Sequence, residues 1–278
     1  MPRLASARGL HALVTGASSG IGRGLALRLA REGARLSLLA RRREALEALA
    51  DEVRAAGAEA RVLVCDVADR AACAAAAAEA VSNLGPVELL INNAGYGRHR
   101  RFVDHEIDDI ERMLRVNTLG SIYLTKALLP AMLEAGRGWI VFVASVAGKI
   151  ASPDESIYAA TKFAVVGLAS ALGLEVEEAG VHVLTVCPGA IRTPFFDDEA
   201  LSRLPPVALR GMVEPEALVD AIWKALAAGK HELTYPRGIA AGYAVQGLAP
   251  RFMRRQVKRT TIDAVAKRDR REGTRGSS

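Results

Sequence analysis

Cysteine is scarce in this chain. The 278 residues hold three, Cys65, Cys73 and Cys187, and no two form a C-x-x-C pair. So odd and scattered a set argues against a disulfide framework or a zinc site and suits a reducing compartment. Histidine is equally thin: His11, His99, His105, His182 and His231 are too dispersed for a ligand set, so no metal is expected. The longest charge-free run near the C-terminus, Gly238–Pro250, falls well short of the roughly 20 residues of a membrane span, so no transmembrane segment is expected. No secretory leader is read either. The basic Met1–Arg8 is followed by Gly9–Gly16, which contains His11 and reads as a strand. A cytoplasmic protein is expected.

Internal repeats and Gly/Ser linkers are also missing. Half of the residues are hydrophobic and 24% are charged, a globular balance in a chain long enough to bury one large core. The net charge of +6 is unevenly placed, because Arg251–Ser278 holds ten Lys/Arg against Asp263, Asp269 and Glu272. The remainder is close to neutral, so no basic folded face, and no nucleic-acid partner, is expected.

Short apolar runs alternate with longer helical stretches. Strands are expected near Leu10–Val14, Arg35–Ala40, Ala60–Cys65, Val87–Ile91, Trp139–Val143 and Val181–Cys187, with a seventh near His231–Thr234. They are unbroken apolar runs, as parallel strands covered on both faces should be. Helices are expected over Gly20–Glu32, Arg42–Ala56, Asp69–Asn83, Ile107–Leu133 (whole or broken) and Glu155–Ala179. The pattern predicts an α/β fold: a Rossmann-like, doubly wound parallel sheet of about seven strands with helices on both faces. One domain is expected over residues 1–250. The Pro- and Phe-containing segment 189–213 should be a substrate lid, and 251–278 a basic extension, partly helical or disordered.

The first strand runs into Thr15-Gly16-Ala17-Ser18-Ser19-Gly20-Ile21-Gly22 and then a helix. Glycines there permit a tight turn and let backbone N–H groups approach a pyrophosphate at the helix N-terminus. A lone glycine cluster is as often an ordinary turn; its position opening a βαβ series favours nucleotide binding.

From this G-x-x-x-G-x-G onward the sequence resembles the short-chain dehydrogenase/reductase family, and further motifs recur in the family's order over residues 9–235. Asp66-Val67 follows the third strand, where the family holds adenine. Asn92-Asn93-Ala94-Gly95 follows the fourth. Asn117, Ser145, Tyr158 and Lys162 fall at the family's catalytic tetrad, and Pro188, Gly189, Ile191 and Thr193 at its segment beside the nicotinamide. The resemblance implies cofactor contacts from Gly16, Ser18, Ser19, Gly20, Ile21, Gly22, Arg41, Asp66, Val67, Asn93, Ala94 and Gly95, as well as from Tyr158, Lys162 and the 188–193 segment. It also implies a homodimer or homotetramer that pairs the long helices.

The residues support this chemistry independently. Tyr158 and Lys162 are one helical turn apart and share a face. Tyrosine titrates near 10, and an ammonium about 4 Å away contributes roughly 4 kcal/mol at an effective dielectric of 20, about three pKa units. That would bring the hydroxyl within reach of acid–base work at neutral pH. Ser145 ends the fifth strand at the carboxyl edge of the sheet, where it can hydrogen-bond a substrate oxygen. An isolated Y-x-x-x-K would more often be a core tyrosine with a chance lysine; the upstream turns reverse those odds. Tyr96, just beyond the Asn-Asn-Ala-Gly turn, is a further ligand candidate.

No acid lies between Glu32 and Glu44, where NAD-specific folds place a carboxylate for the ribose 2′-hydroxyl. Arg41 follows the second strand instead, a fork suited to a 2′-phosphate, so NADP(H) is expected to be preferred, with NAD(H) possible. The substrate should be a small carbonyl or alcohol with an apolar body, held by Val146, Ile150, Phe195, Phe196, Leu204 and Met212. Arg98-His99-Arg100-Arg101 leaves open a 3-oxoacyl thioester. A catalytically silent dinucleotide-binding sensor is the alternative of another class, and the complete tetrad argues against it.

Overall fold

The computed structural model describes residues 3–196, 198–204 and 206–275. The strands are β1 (His11–Thr15), β2 (Arg35–Ala40), β3 (Ala60–Val64), β4 (Leu89–Asn92), β5 (Gly138–Val143), β6 (Val181–Pro188) and β7 (Glu232–Tyr235). They form one seven-stranded sheet in the order β3-β2-β1-β4-β5-β6-β7, every pairing parallel. The helices are α1 (Gly20–Arg31), α2 (Arg43–Ala55), α3 (Arg70–Leu84), α4 (Ile107–Leu114), α5 (Gly120–Glu134) and α6 (Ser156–Val176). They continue as α7 (Asp198–Arg203), α8 (Pro206–Arg210), α9 (Pro215–Ala227), α10 (Ala240–Leu248) and α11 (Pro250–Arg275).

Side chains alternate along a strand, so each strand feeds two cores. β5 sends Trp139, Val141 and Val143 to one face, against α1, α2 and α9, and Ile140 and Phe142 to the other, against α3, α5 and α6. Neither face of the central strands meets water, which is why they read as apolar runs without alternation, whereas the edge strand β3 exposes Arg61 and Val64. The alanine-rich α3 buries Cys73, Ala76, Ala77 and Ala80 at helical spacing, and Asp69 caps it by accepting from the Ala71 and Ala72 amides at 2.8 and 3.0 Å. Among the described residues α6 alone has the length and hydropathy of a membrane-crossing helix, yet Tyr158, Lys162, Val165, Ala169, Leu172 and Val176 on it are buried in this fold.

The structure adds detail to three expectations. The helical stretch over 107–133 is continuous: α4 passes through a π-helical turn, Arg115–Leu119, directly into α5. Segment 189–213 contains α7 and α8 and is closed at its base by a parallel bridge between Ile191 and Val213. The chain beyond 250 starts as a helix. Pro250 opens α11, a first-turn position where its missing N–H removes no helical bond, and α11 packs back onto α8. Helix α9 has no counterpart among the expected helices.

Gly120 joins the π turn to α5 where the helix crosses Val67. A Cβ on Gly120 would lie 2.8 Å from both the Val67 Cβ and its carbonyl oxygen. Gly120→Ala should therefore destabilise the protein by about 1–3 kcal/mol despite alanine's better helix propensity. A urea midpoint equal to or above the parent's would refute this close packing.

Candidate active site

A cleft of about 920 Å³ opens along the carboxyl edge of the sheet. It lies where the strand order reverses between β1 and β4, so that helices leave to opposite faces and a crevice remains. Every residue expected at the cofactor lines it except Gly22, and Tyr96 lines it too.

Gly22 acts from behind. A Cβ there would come within 2.4 Å of the Gly16 carbonyl oxygen and 2.5 Å of the Asn93 amide nitrogen. Gly16 and Gly20 adopt positive φ, +62° and +55°, which glycine takes without strain. Asn93 donates from Nδ2 to the carbonyls of Thr15 (2.9 Å) and Gly16 (3.3 Å), binding the β4 turn to the glycine turn. Thr15 completes the junction: its Oγ1 donates to the Ile91 carbonyl and accepts from the Asn93 and Ala94 amides, both at 2.9 Å.

Ser145, Tyr158 and Lys162 meet in the cleft. The Ser145 Oγ accepts from the Ala147 amide at 3.1 Å. Lys162 donates from Nζ to the Val143 carbonyl at 2.9 Å and stands 5.7 Å from the Tyr158 ring centre. Burial pushes the Tyr158 hydroxyl above the usual tyrosine value, opposed by the Ser145 side chain and reinforced by the Glu155 charge. Burial brings Lys162 down to about 8. The lowering expected from Lys162 is not among the effects that set the Tyr158 hydroxyl, of which desolvation is the largest. Asn117 does not line the cleft. On the π turn, it accepts from the Tyr96 amide at 2.9 Å and donates to the Tyr96 carbonyl (2.8 Å) and Thr161 Oγ1 (3.1 Å), holding the loop after β4 against α6.

Arg41 and Arg42 both border the cleft after β2, and Arg42 donates to the Ser18 hydroxyl and carbonyl at 3.1 and 3.3 Å. Across from them, burial alone would raise Asp66. The ion pair with Arg112 and the Ala68 amide outweigh it and keep the carboxyl below its usual value.

At the other end the walls are apolar. Val146, Ile150, Phe195, Phe196 and Leu204 line the cleft as expected; Met212 does not. Phe195 packs on Tyr158 with ring centres 5.6 Å apart, and Phe196 packs on His99 at 5.7 Å. His99 is held 2.8 Å from Glu155, and Arg100 approaches Asp109 at 3.8 Å, so of the basic run only Arg98 borders the cleft.

Residues 10–203 match the family model for short chain dehydrogenase. The chain belongs to this family. Short-chain dehydrogenases are oxidoreductases acting on CH–OH and C=O groups, and this chain is one of these enzymes. It is 39% identical over 219 residues to oxidoreductase UcpA of Escherichia coli K12, covering 78% of this chain and 80% of that one. It is 33% identical to the ketoacyl reductase HetN of a Nostoc species, covering 78% and 75%. Among solved structures, a short-chain dehydrogenase from Sphingobium yanoikuyae in complex with NADPH aligns with a TM-score of 0.78 at 34% identity, over 88% of this chain and 95% of that one.

Sequence reasoning missed Ala208, Ile239, Val257 and Thr261, which this dehydrogenase also brings to the cleft. The last two come from α11, whose charge dominated its reading; the only signal was their spacing of four residues, one helical turn.

Gly22→Ala tests the junction behind the glycine turn. The added methyl must displace either the Gly16 carbonyl or the Asn93 amide, so stability should fall by about 1–3 kcal/mol and dinucleotide affinity should fall with it. Unchanged affinity by calorimetry, at unchanged stability, would contradict this geometry.

Proposed function

We propose that this short-chain dehydrogenase interconverts a ketone or aldehyde and an alcohol on a fairly hydrophobic substrate, with NADP(H) as hydride carrier and Tyr158 as general acid and base. The convergence of Ser145, Tyr158 and Lys162 in a cleft walled by Val146, Ile150, Phe195, Phe196 and Leu204 carries this reading. The nucleotide fits the residues present. Positive-φ glycines open the turn, a Cβ would fill the space at Gly22, and no acid between Glu32 and Glu44 opposes a 2′-phosphate beside Arg41. The NADPH-bound relative supports the same choice. Gly16, Ser18, Ser19, Gly20 and Ile21 would hold the phosphates. Asp66 and Val67 would hold the adenine, and Asn93, Ala94, Gly95, Pro188, Gly189, Ile191 and Thr193 the nicotinamide half.

When bound, the nicotinamide supplies or receives the hydride. Ser145 donates to the substrate oxygen and orients it; Tyr158 delivers or removes that oxygen's proton. Lys162 keeps a positive charge beside the pair and donates to the cofactor ribose. Asn117 positions Tyr96 and α6. Segment 189–213 covers the substrate, and Phe195 screens Tyr158 from water. The enzyme is proposed to be cytoplasmic. It is also proposed to be a homodimer or homotetramer, because Leu119 on the π turn, Leu133 on α5, and Phe163 and Leu174 on α6 stand exposed. A 3-oxoacyl thioester is the second reading, favoured by Arg98 at the cleft and by the ketoacyl reductase relative.

Tyr158→Phe removes only the exchangeable proton. Turnover of a lipophilic ketone should drop roughly 10²–10⁴-fold while NADPH affinity is retained. Turnover within a few-fold of the parent would exclude Tyr158 from the mechanism.

Losing the charge-assisted contact of Arg41 should cost about 1.5–3 kcal/mol, roughly ten- to a hundredfold in affinity. Arg41→Ala should weaken NADPH binding by that factor and leave NADH binding as it was. Equal affinity of the parent for both nucleotides, by fluorescence titration, would overturn the assignment.

A further inference from the structure

Helix α10 is turned inside out. It carries no charge, buries no residue, and exposes Ala240, Ala241, Ala244, Gly247 and Leu248, which share one face. An apolar stripe of this spacing ordinarily faces a core. Large apolar side chains also stand exposed here and on the following helix: Leu248 is 89% exposed, Phe252 53% and Ile262 45%. From Tyr235 to Ile262 there is no acid, whereas Arg251, Arg254, Arg255, Lys258 and Arg259 crowd the first turns of α11 and are all exposed. None of the five forms an ion pair among the described residues, in contrast to Arg23 with Glu52 or Arg28 with Asp220.

We propose that the outer face of α10 and α11 docks on an anionic lipid surface. Leu248, Phe252 and Ile262 enter the boundary between headgroups and acyl chains, and the five cations lie against lipid phosphates. Charge complementarity selects this occupant. A second copy presenting the same face would set arginine against arginine, and a nucleic acid would use the cations while leaving the apolar residues in water. The inner sides of the same segment reach the cleft through Ile239, Val257 and Thr261. Docking therefore brings the substrate side of the enzyme to the bilayer, where an apolar carbonyl is most concentrated. That last step rests on the proposed substrate class; the docking does not.

The test is sedimentation of the full chain with phosphatidylcholine vesicles, with and without phosphatidylglycerol. The protein should sediment with the anionic vesicles, much less with the neutral ones, and progressively less as salt is added. A cation near an anionic leaflet is worth about fivefold in binding, so Arg251→Gln with Arg255→Gln and Arg259→Gln should weaken it about a hundredfold. Leu248→Ser with Phe252→Ser should weaken it roughly tenfold while preserving its salt dependence. Both variants should bind NADPH as the parent does, which shows that they fold. Equal sedimentation with both vesicle types, or none at low salt, overturns the proposal. So does a change of oligomeric state in the arginine variant, which would assign the face to a second copy. Duplex DNA bound more tightly than anionic vesicles would overturn it as well. Sedimentation needs no turnover, so an inactive protein that still binds vesicles would refute the catalytic reading and leave the docking intact.

Discussion

Every functional element at the carboxyl edge depends on the hydrogen-bonded junction between the ends of β1 and β4. Thr15 Oγ1 donates once, to Ile91, and accepts twice, from Asn93 and Ala94, which exhausts a hydroxyl's capacity. Asn93 returns two bonds to the β1 end. The two strands pair in parallel as far as Val14 and Ile91, and beyond that register, where their helices leave to opposite faces of the sheet, these side-chain bonds hold the two turns together. A buried amide left without its acceptor costs about 1–3 kcal/mol, and Thr15 serves two. Gly16 and Gly22 follow from the same constraint, because the Asn93 amide occupies the space in which their side chains would stand.

That rigidity is what allows Tyr158 and Lys162 to be buried side by side. Desolvation disfavours the charged form of each, raising the tyrosine and lowering the lysine to about 8. At neutral pH the resulting inventory is a protonated hydroxyl beside an ammonium that releases its proton more readily than usual. Such a pair suits donation to a carbonyl oxygen as negative charge develops there. Ser145 opposes the rise that burial imposes on the Tyr158 hydroxyl.

What was legible in the sequence is what repeats along the chain or is confined to one turn. The central strands stood out because burial on both faces leaves them no polar alternation, and the glycine turn because only glycine tolerates the approach of Asn93. Tyr158 and Lys162 were legible from helical spacing together with the turns upstream of them. Their titration was not, since it depends on how deeply the fold buries that face of α6, with Phe195 packed on the Tyr158 ring from a distant segment. Asn117 was found by position, yet its partners Tyr96 and Thr161 depend on a π turn that apolar periodicity does not reveal. Met212 was placed in the cleft on hydrophobicity, and the bridge between Ile191 and Val213 folds that end of the segment away from it.

The C-terminal helices show why composition misleads when two faces of one element serve different solvents. Read as a charge excess, 251–278 is a solvated tail. Resolved by face, α11 presents Val257 and Thr261 to the cleft and arginines outward, while α10 leaves its apolar stripe uncovered. A helix that only needed to close the cleft would gain nothing from exposing Leu248 and Phe252 to water, each apolar side chain so placed forgoing about 1.5–3 kcal/mol of burial. The end of the tail intersperses Asp263, Asp269 and Glu272 among its cations, as solubility favours, whereas the first turns of α11 as far as Ile262 hold cations and no acid. Neither requirement alone produces the observed arrangement. A surface that is apolar at its depth and anionic at its edge accounts for both, and it makes the same residues that shape the substrate end of the cleft respond to where the enzyme sits.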